Sequence, residues 1–343
     1  MGAGPILSMQ ALSKRFGDVV AVDSVTLDIE DGEFFTIVGP SGSGKSTLVR
    51  ILAGLEQPTA GQVMLRDGDI TNVPANQRPT CMVFQSLALF THKSVGENIE
   101  FAAKMKGVAK AERKQQALET MDVVRLPQDY YDRSVTQCSG GERQRVALAR
   151  ALASDPEILF FDEPLSAMDY RLRKILEVEM KDLHRRTGKT FIYITHSLEE
   201  AMVMSDRIAI MRAGRIVQAG TPNDIYRQPS SRFVAEFMGE VNTFSVEGGR
   251  IRELGATAAG VDDGYLVVRP EYLRHLGDGD EADVRFSAAV DNDYMLGSRT
   301  QFHLSVDDQV LIAELPAAAA AGLTIGERRE WGFDLADTAH VPE

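Results

Sequence analysis

Gly39-Pro40-Ser41-Gly42-Ser43-Gly44-Lys45-Ser46-Thr47 is the run on which the fold turns. It satisfies G-x-x-x-x-G-K-[ST], follows the strand-like apolar run FFTIVG and leads into TLVRILAGL, whose apolar spacing is helical. Glycines at these places let the backbone curl until several N–H groups converge on one phosphate, and the helix that follows adds the positive end of its dipole. Lys45 is then placed to reach β- and γ-phosphates, and the Ser46 hydroxyl to ligate Mg²⁺. The run therefore predicts a nucleoside-triphosphate site, ATP with Mg²⁺, at the end of a strand in an α/β domain.

Outward from it, apolar runs (TCMVFQ, EILFFDEP, TFIYITH, RIAIMRAG) alternate with helix-period segments, the pattern of a largely parallel sheet. Leu172 to Arg186 reads as one such helix, with Leu172, Ile175, Leu176, Met180 and Leu183 as its apolar stripe and Gly188 as its stop. Ile158 to Phe161 form a buried strand closing on Asp162-Glu163-Pro164. Open α/β sheets place ligands at that end, so Asp162 is expected to help hold Mg²⁺ and Glu163 to orient and deprotonate an attacking water. Further along, Cys138-Ser139-Gly140-Gly141-Glu142 opens the helix ERQRVALARALA; Ser139 is a natural N-cap, and the glycines leave the helix start bare for an anion.

The segment SGGERQRVALARAL, with the Asp-Glu strand about twenty residues beyond it, resembles the signature of the ATP-binding-cassette (ABC) ATPases. The resemblance runs over roughly residues 8–238. It implies that Gln85 is the Q-loop glutamine, touching Mg²⁺ or the attacking water, and that Ser166-Ala167-Met168-Asp169 is the D-loop. It further implies that His196 is the switch histidine at the γ-phosphate, that Phe16 stacks on adenine, and that Ser139, Gly140, Gly141 and Glu142 cover ATP held by another copy. Catalysis is thereby assigned to Glu163, His196, Lys45 and Gln85, and metal binding to Ser46, Gln85 and Asp162. The pattern is departed from at Cys138 and Glu142 in the signature, where Leu and Gln are usual, at Ser197 after the switch, where Asp is commoner, and at Leu87 and Thr91 in the Q-loop. An anionic Glu142 near a nucleotide is expected to weaken ATP-driven closure. With one of each motif, the chain is implied to act as a homodimer with ATP in its interface. Segment 86–155 is then the helical part that docks on membrane partners, Leu87, Ala88, Leu89 and Phe90 supplying an apolar seat.

Charge divides the chain. The whole carries 37 bases against 50 acids, net −13, which argues against a nucleic-acid grip. Residues 1–239 hold 30 acids and 29 bases, whereas 240–343 hold 20 acids and 8 bases, with no lysine after Lys189. A boundary is expected there, giving an ATPase domain at 1–238, closed by the helical pattern FVAEFMGEVNTF, and a C-terminal β domain at 239–343. The latter reads as short strands (SVEGGRIREL, GYLVVRP, DVRFSAAV, TQFHLSV, QVLIAEL) between Gly and Asp turns, a small barrel or sandwich. Its Val268-Arg269-Pro270-Glu271 and Tyr294-Met295-Leu296-Gly297-Ser298 resemble the OB-like TOBE domain of bacterial importer ATPases, implying a role in dimer contact, regulation or sensing.

No apolar stretch approaches the ~18–20 residues needed to cross a bilayer, and MGAGPILSMQALSKRF has no continuous apolar core of a leader. The expectation is a chain bound to the cytoplasmic face of a bacterial membrane only through a pair of permease subunits, which a periplasmic or extracellular solute-binding protein feeds. Cys81 and Cys138 form neither a CxxC nor a His-flanked cluster. Among importers, VPANQRPTCMVFQSLALF, SAMDYRLRKILEVEMKDLHRRTG and MSDRIAIMRAGRIVQAGTPNDIYRQPSSRFVAEFMGEVNTF resemble spermidine/putrescine importers most, with ferric-iron, sulfate, phosphonate and sugar importers close behind. A soluble ABC ATPase working on nucleic acid or ribosomes would call for duplicated cassettes, a coiled-coil insertion or a basic arm, which this sequence lacks.

Overall fold

The computed structural model describes residues 4–342 apart from Ala167 and Asp278; the middle of the expected D-loop thus lies outside the described residues. The chain divides into two compact units, Met1–Pro222 and Asn223–Glu343.

The first unit is built on a six-stranded sheet in the order Arg215–Gly220, Arg207–Arg212, Phe34–Val38, Thr190–Ile194, Ile158–Asp162, Thr80–Val83. All neighbours run parallel except the first pair. Strands buried on both faces are near-continuously apolar, and Phe34–Val38 and Thr190–Ile194 are buried at every position, with Thr36 and Thr190 as their polar members. Side chains alternate between the faces with the period of two that a strand imposes. Phe35, Ile37, Ile158, Phe160, Ile192 and Ile194 enter one core with the helix Lys45–Leu52, while Phe34, Leu159, Phe161, Phe191 and Tyr193 enter another with the helix Gly140–Leu152. A four-stranded antiparallel sheet, including the hairpin Leu7–Phe16 and Val19–Ile29, closes the first core. Helices Val95–Ile99, Phe101–Met105 and Lys110–Val123 lie within the expected helical segment 86–155.

One helix departs from its expected stripe. Tyr170–Thr187 buries Leu176, Met180 and Leu183, spaced four and three apart, but leaves Ile175 55% exposed and buries Glu177 instead. Glu177 is tolerated there because Lys174 Nζ donates to both its oxygens, at 2.9 and 3.1 Å. Gly188 ends the helix in a left-handed conformation, as expected of a stop.

Among its described residues the second unit is mostly β, with short helices at Pro222–Arg227 and Arg232–Phe237 and 3-10 turns at Pro270–Tyr272 and Leu335–Asp337. One five-stranded antiparallel sheet holds Asn242–Glu247 and Gly264–Val268, the other Val284–Met295, Arg299–Val306 and Gln309–Pro316. Both sheets contribute to a single core around Trp331, Phe244, Phe302 and Phe333. The division between the compact units falls at Pro222, ahead of the expected domain boundary at 238. The apolar helix read as closing the first domain, Arg232–Phe237, belongs to the second unit. The buried Arg269 holds it there, donating to Ala235 O at 3.0 Å and Tyr226 O at 3.2 Å while its guanidinium lies 4.1 Å from the Tyr226 ring. The charge split is unchanged, because residues 223–239 hold as many acids as bases.

Candidate functional site

The strand Phe34–Val38 runs into the glycine-rich loop, and the helix Lys45–Leu52 leaves it. Gly44, at φ 104, stands as N-cap with no side-chain cap and no acidic residue in the first turn. The helix start is therefore open to an anion. At its other end the buried Arg78 donates to Ile51 O at 2.9 Å and Leu52 O at 2.7 Å, satisfying terminal carbonyls and complementing the dipole. Lys45 is buried and donates to Gly39 O and Pro40 O at 2.7 and 3.0 Å. Burial lowers the pKa of its ammonium, against the opposing pull of Glu163 and Asp162. Ser43 Oγ is buried without a partner, a polar atom in the loop's wall that a phosphate oxygen would satisfy.

Asp162 ends its strand beside this loop and accepts a hydrogen bond from Ser46 Oγ at 3.3 Å. Burial pushes its carboxyl above the usual range, with the Ser46 hydroxyl opposing and Glu163 reinforcing. Glu163 follows in a left-handed conformation, φ 47, held by Glu163 N donating to Ile194 O at 3.0 Å and by Ser166 Oγ donating to Glu163 O at 2.9 Å. A non-glycine residue there is strained by roughly 1–2 kcal/mol, and such strain clusters at working sites. The turn aims the carboxylate at the next strand end, where His196 Nδ1 lies 3.2 Å from Glu163 Oε2. Gln85 joins from beyond Thr80–Val83, its amide donating to Ser166 Oγ at 2.9 Å. Lys45, Ser46, Gln85, Asp162, Glu163 and His196 thus gather where the parallel strands end.

No hydrogen bond or ion pair among the described residues joins Ser139, Gly140, Gly141 or Glu142 to this cluster. Ser139 and Glu142 form a reciprocal capping box, Ser139 N donating to Glu142 Oε2 at 2.6 Å and Glu142 N to Ser139 Oγ at 3.3 Å, and Tyr130 OH donates to Glu142 at 3.1 Å. Among the described residues, none of these bonds reaches the glycine-rich loop. Asp169 caps the helix Tyr170–Thr187 by accepting from Leu172 N at 3.0 Å. Phe16 is 48% exposed at its hairpin end, with Lys14 Nζ 4.8 Å from its ring centroid.

Sequence reasoning missed the arginines that brace these loops. Leu87 and Ala88 both have positive φ, and Arg150, from the helix Gly140–Leu152, donates to both their carbonyls at 2.7 Å. Leu87, Leu89 and Phe90, read as a docking seat, are half-buried, and Leu87 and Leu89 pack against the second core. No helix among the described residues is long and apolar enough to cross a membrane.

Comparison with known proteins identifies two family matches, "ABC transporter" over residues 22–166 and "TOBE domain" over residues 266–341. The chain is 45% identical over 307 residues to the spermidine/putrescine import ATP-binding protein PotA of Mesorhizobium japonicum, covering 85% of this chain and 83% of that protein. The protein of that name from Acidothermus cellulolyticus is 41% identical over 364 residues, covering 96% and 94%. Among solved structures, a dimeric ATP-binding cassette in a post-hydrolysis state with ADP and Pi matches with a TM-score of 0.55 at 31% identity, over 63% of this chain and 98% of that one. The ADP conformation of another ABC transporter cassette matches with a TM-score of 0.60 at 26% identity, over 69% and 99%.

Proposed function

Because the chain belongs to the ABC transporter family, as an ATP-hydrolysing subunit with a TOBE domain, we propose that it energises the import of polyamines, spermidine or putrescine. The solute rests on the names of relatives 40–45% identical over most of the chain. The mechanism rests on one observation: the Ser46–Asp162 pair and the Glu163–His196 pair stand at neighbouring strand ends beside the glycine-rich loop.

In this reading the open start of the helix Lys45–Leu52 and the buried Lys45 bind the phosphates of ATP, and Lys45 exchanges its loop carbonyls for phosphate oxygens. Phe16 offers an exposed ring to the base. Ser46, Asp162 and Gln85 present hydroxyl, carboxylate and amide groups, a hard donor set that suits Mg²⁺. When bound, that ion would neutralise charge on the β- and γ-phosphates. Glu163 accepts the proton of the attacking water, and His196 holds Glu163 and the γ-phosphate in register. Asp169 and the segment from Ser139 to Glu142 are assigned to the nucleotide of a second copy, so the working unit is a homodimer. ATP favours the closed dimer by its differential affinity for that state, and hydrolysis releases it. Segment 86–155 would receive a pair of integral-membrane permease subunits at the cytoplasmic face of the bacterial inner membrane, fed by a solute-binding protein.

Reconstitution with the permeases tests this. ATP-dependent uptake of labelled spermidine is expected, and uptake of ferric iron, sulfate, phosphonate or sugar in its place would overturn the solute. Glu163→Gln is expected to lower ATP hydrolysis by about a hundredfold or more and to accumulate an ATP-bound dimer on size exclusion. Full hydrolysis by that variant would overturn the mechanism.

A further inference from the structure

The backbone around His196 is fastened by one buried carboxylate. Glu200, 3% exposed, accepts hydrogen bonds from Thr195 Oγ1 at 2.7 Å and from Tyr193 OH at 2.9 Å. Thr195 Oγ1 also accepts from Ser197 N at 2.9 Å, and Ser197 Oγ accepts from Glu200 N at 3.2 Å. Residues 195 to 200 are thereby closed into a ring of hydrogen bonds with His196 at its apex. Ser197, where the family more often has Asp, supplies the cap of the helix Leu198–Met204.

The second oxygen of Glu200 faces Arg173. The separation, Arg173 Nε to Glu200 Oε1, is 3.8 Å, an ion pair too long for a hydrogen bond, and that Nε is buried without a hydrogen-bond partner. The same guanidinium donates through Nη2 to Met168 O at 2.9 Å, one residue before Asp169. One arm of Arg173 is thus bound to the segment assigned to a second copy's nucleotide, and the other lies about 1 Å short of a charge-assisted bond to the clamp on His196.

We propose that Arg173 and Glu200 are positioning residues that link the Met168–Asp169 segment to His196, so that a shift of that segment closes the Arg173–Glu200 gap and sets the histidine against Glu163. A buried carboxylate needs its partners, and here those partners are Tyr193 and Thr195, on the strand end leading into the histidine, and an arginine answering to another loop. The link rests on the hydrolytic reading of Glu163 and His196.

The test uses the full-length protein. Glu200→Gln keeps the shape and an oxygen for the two hydroxyls but removes the charge that attracts Arg173, and Arg173→Met keeps the stem without the head. Each is expected to lower kcat for ATP hydrolysis about tenfold while KM for ATP stays within about twofold, the mark of an interaction made in the transition state. The melting temperature is expected to hold within a few degrees, and the double variant to be no slower than the slower single one, because both break one link. Unchanged kcat in Arg173→Met, a KM that rises as kcat falls, or losses that multiply in the double variant would each overturn the proposal. If Glu200→Gln does not fold, Arg173→Met, whose side chain is 29% exposed, decides alone. Glu163→Gln distinguishes the two failures: full hydrolysis by that variant removes the site reading, whereas its loss beside unaffected Arg173→Met removes only the link.

Discussion

At the scale of residues, the glycine-rich loop shows how much chemistry its sequence carries. Gly44 is required by geometry, since at φ 104 an added Cβ would lie 2.1 Å from Ala21 O and 2.9 Å from Met211 Cε. Gly42, at φ 77, has open space around its missing Cβ. Gly44→Ala is therefore expected to destabilise the protein by about 2–4 kcal/mol, and Gly42→Ala by only about 1 kcal/mol. Urea midpoints measured without nucleotide check this order, and equal losses would show that the contact at Ala21 relaxes freely. Lys45, Ser46, Asp162 and Glu163 were legible because local rules fix them: a motif of fixed spacing, and a carboxylate pair where an apolar strand ends. Arg78, Arg173 and Glu200 were not, because their partners are mostly main-chain carbonyls or residues on other elements, which carry no side-chain signature in the sequence.

At the scale of elements, Glu142 changes meaning once its partners are seen. Its charge suggested weakened closure, yet its carboxylate is engaged by Ser139 N and Tyr130 OH at the start of the helix Gly140–Leu152. The Ser139 N–H bond is the main reason its pKa falls below the ordinary glutamate value of 4.5. A depressed folded pKa makes a contribution that is present above 4.5 and is lost as pH falls through the folded value. Glu142→Gln is thus expected to be less stable than the parent near neutral pH, by a few tenths of a kcal/mol after solvent screening. The gap should close as pH falls below 4.5 and through the folded value. Paired thermal melts across that range check it, and a gap independent of pH would assign the effect to shape instead of charge. The helix itself was legible from its apolar spacing, whereas its second duty was not. Only the fold brings Arg150 against the positive-φ turn at Leu87 and Ala88. Ile175 shows the converse, since a stripe read from spacing includes a residue whose outer neighbour is supplied by no described element.

At the scale of the whole molecule, composition suggests a junction at 238, whereas the compact units divide at Pro222. Residues 223–239 are balanced in charge and helical in pattern, so nothing local distinguishes them from the ATPase that precedes them; the buried Arg269 and the packing of Ala235 against Val267 and Val341 join them to the β unit. The acid then remains concentrated in that unit, where Asn223–Glu343 holds 22 acids and 10 bases. The polyamine solute proposed above invites the idea that these carboxylates sense it. They are instead dispersed: Asp334 is bound to Arg274, Glu314 to Arg299 and Glu236 to Arg232, and among the described residues no group of three or more acidic, His or Cys side chains converges as a metal site would require. Dispersed exposed carboxylates attract a polyamine only diffusely, with an attraction that salt screens over about 8 Å at physiological ionic strength. Calorimetry of spermidine into the full-length protein at that ionic strength is therefore expected to give no saturable heat, and spermidine to leave its ATPase rate without permeases unchanged. A saturating isotherm abolished by neutralising acids of the β unit would make that unit a solute sensor and overturn its reading as a solvated surface.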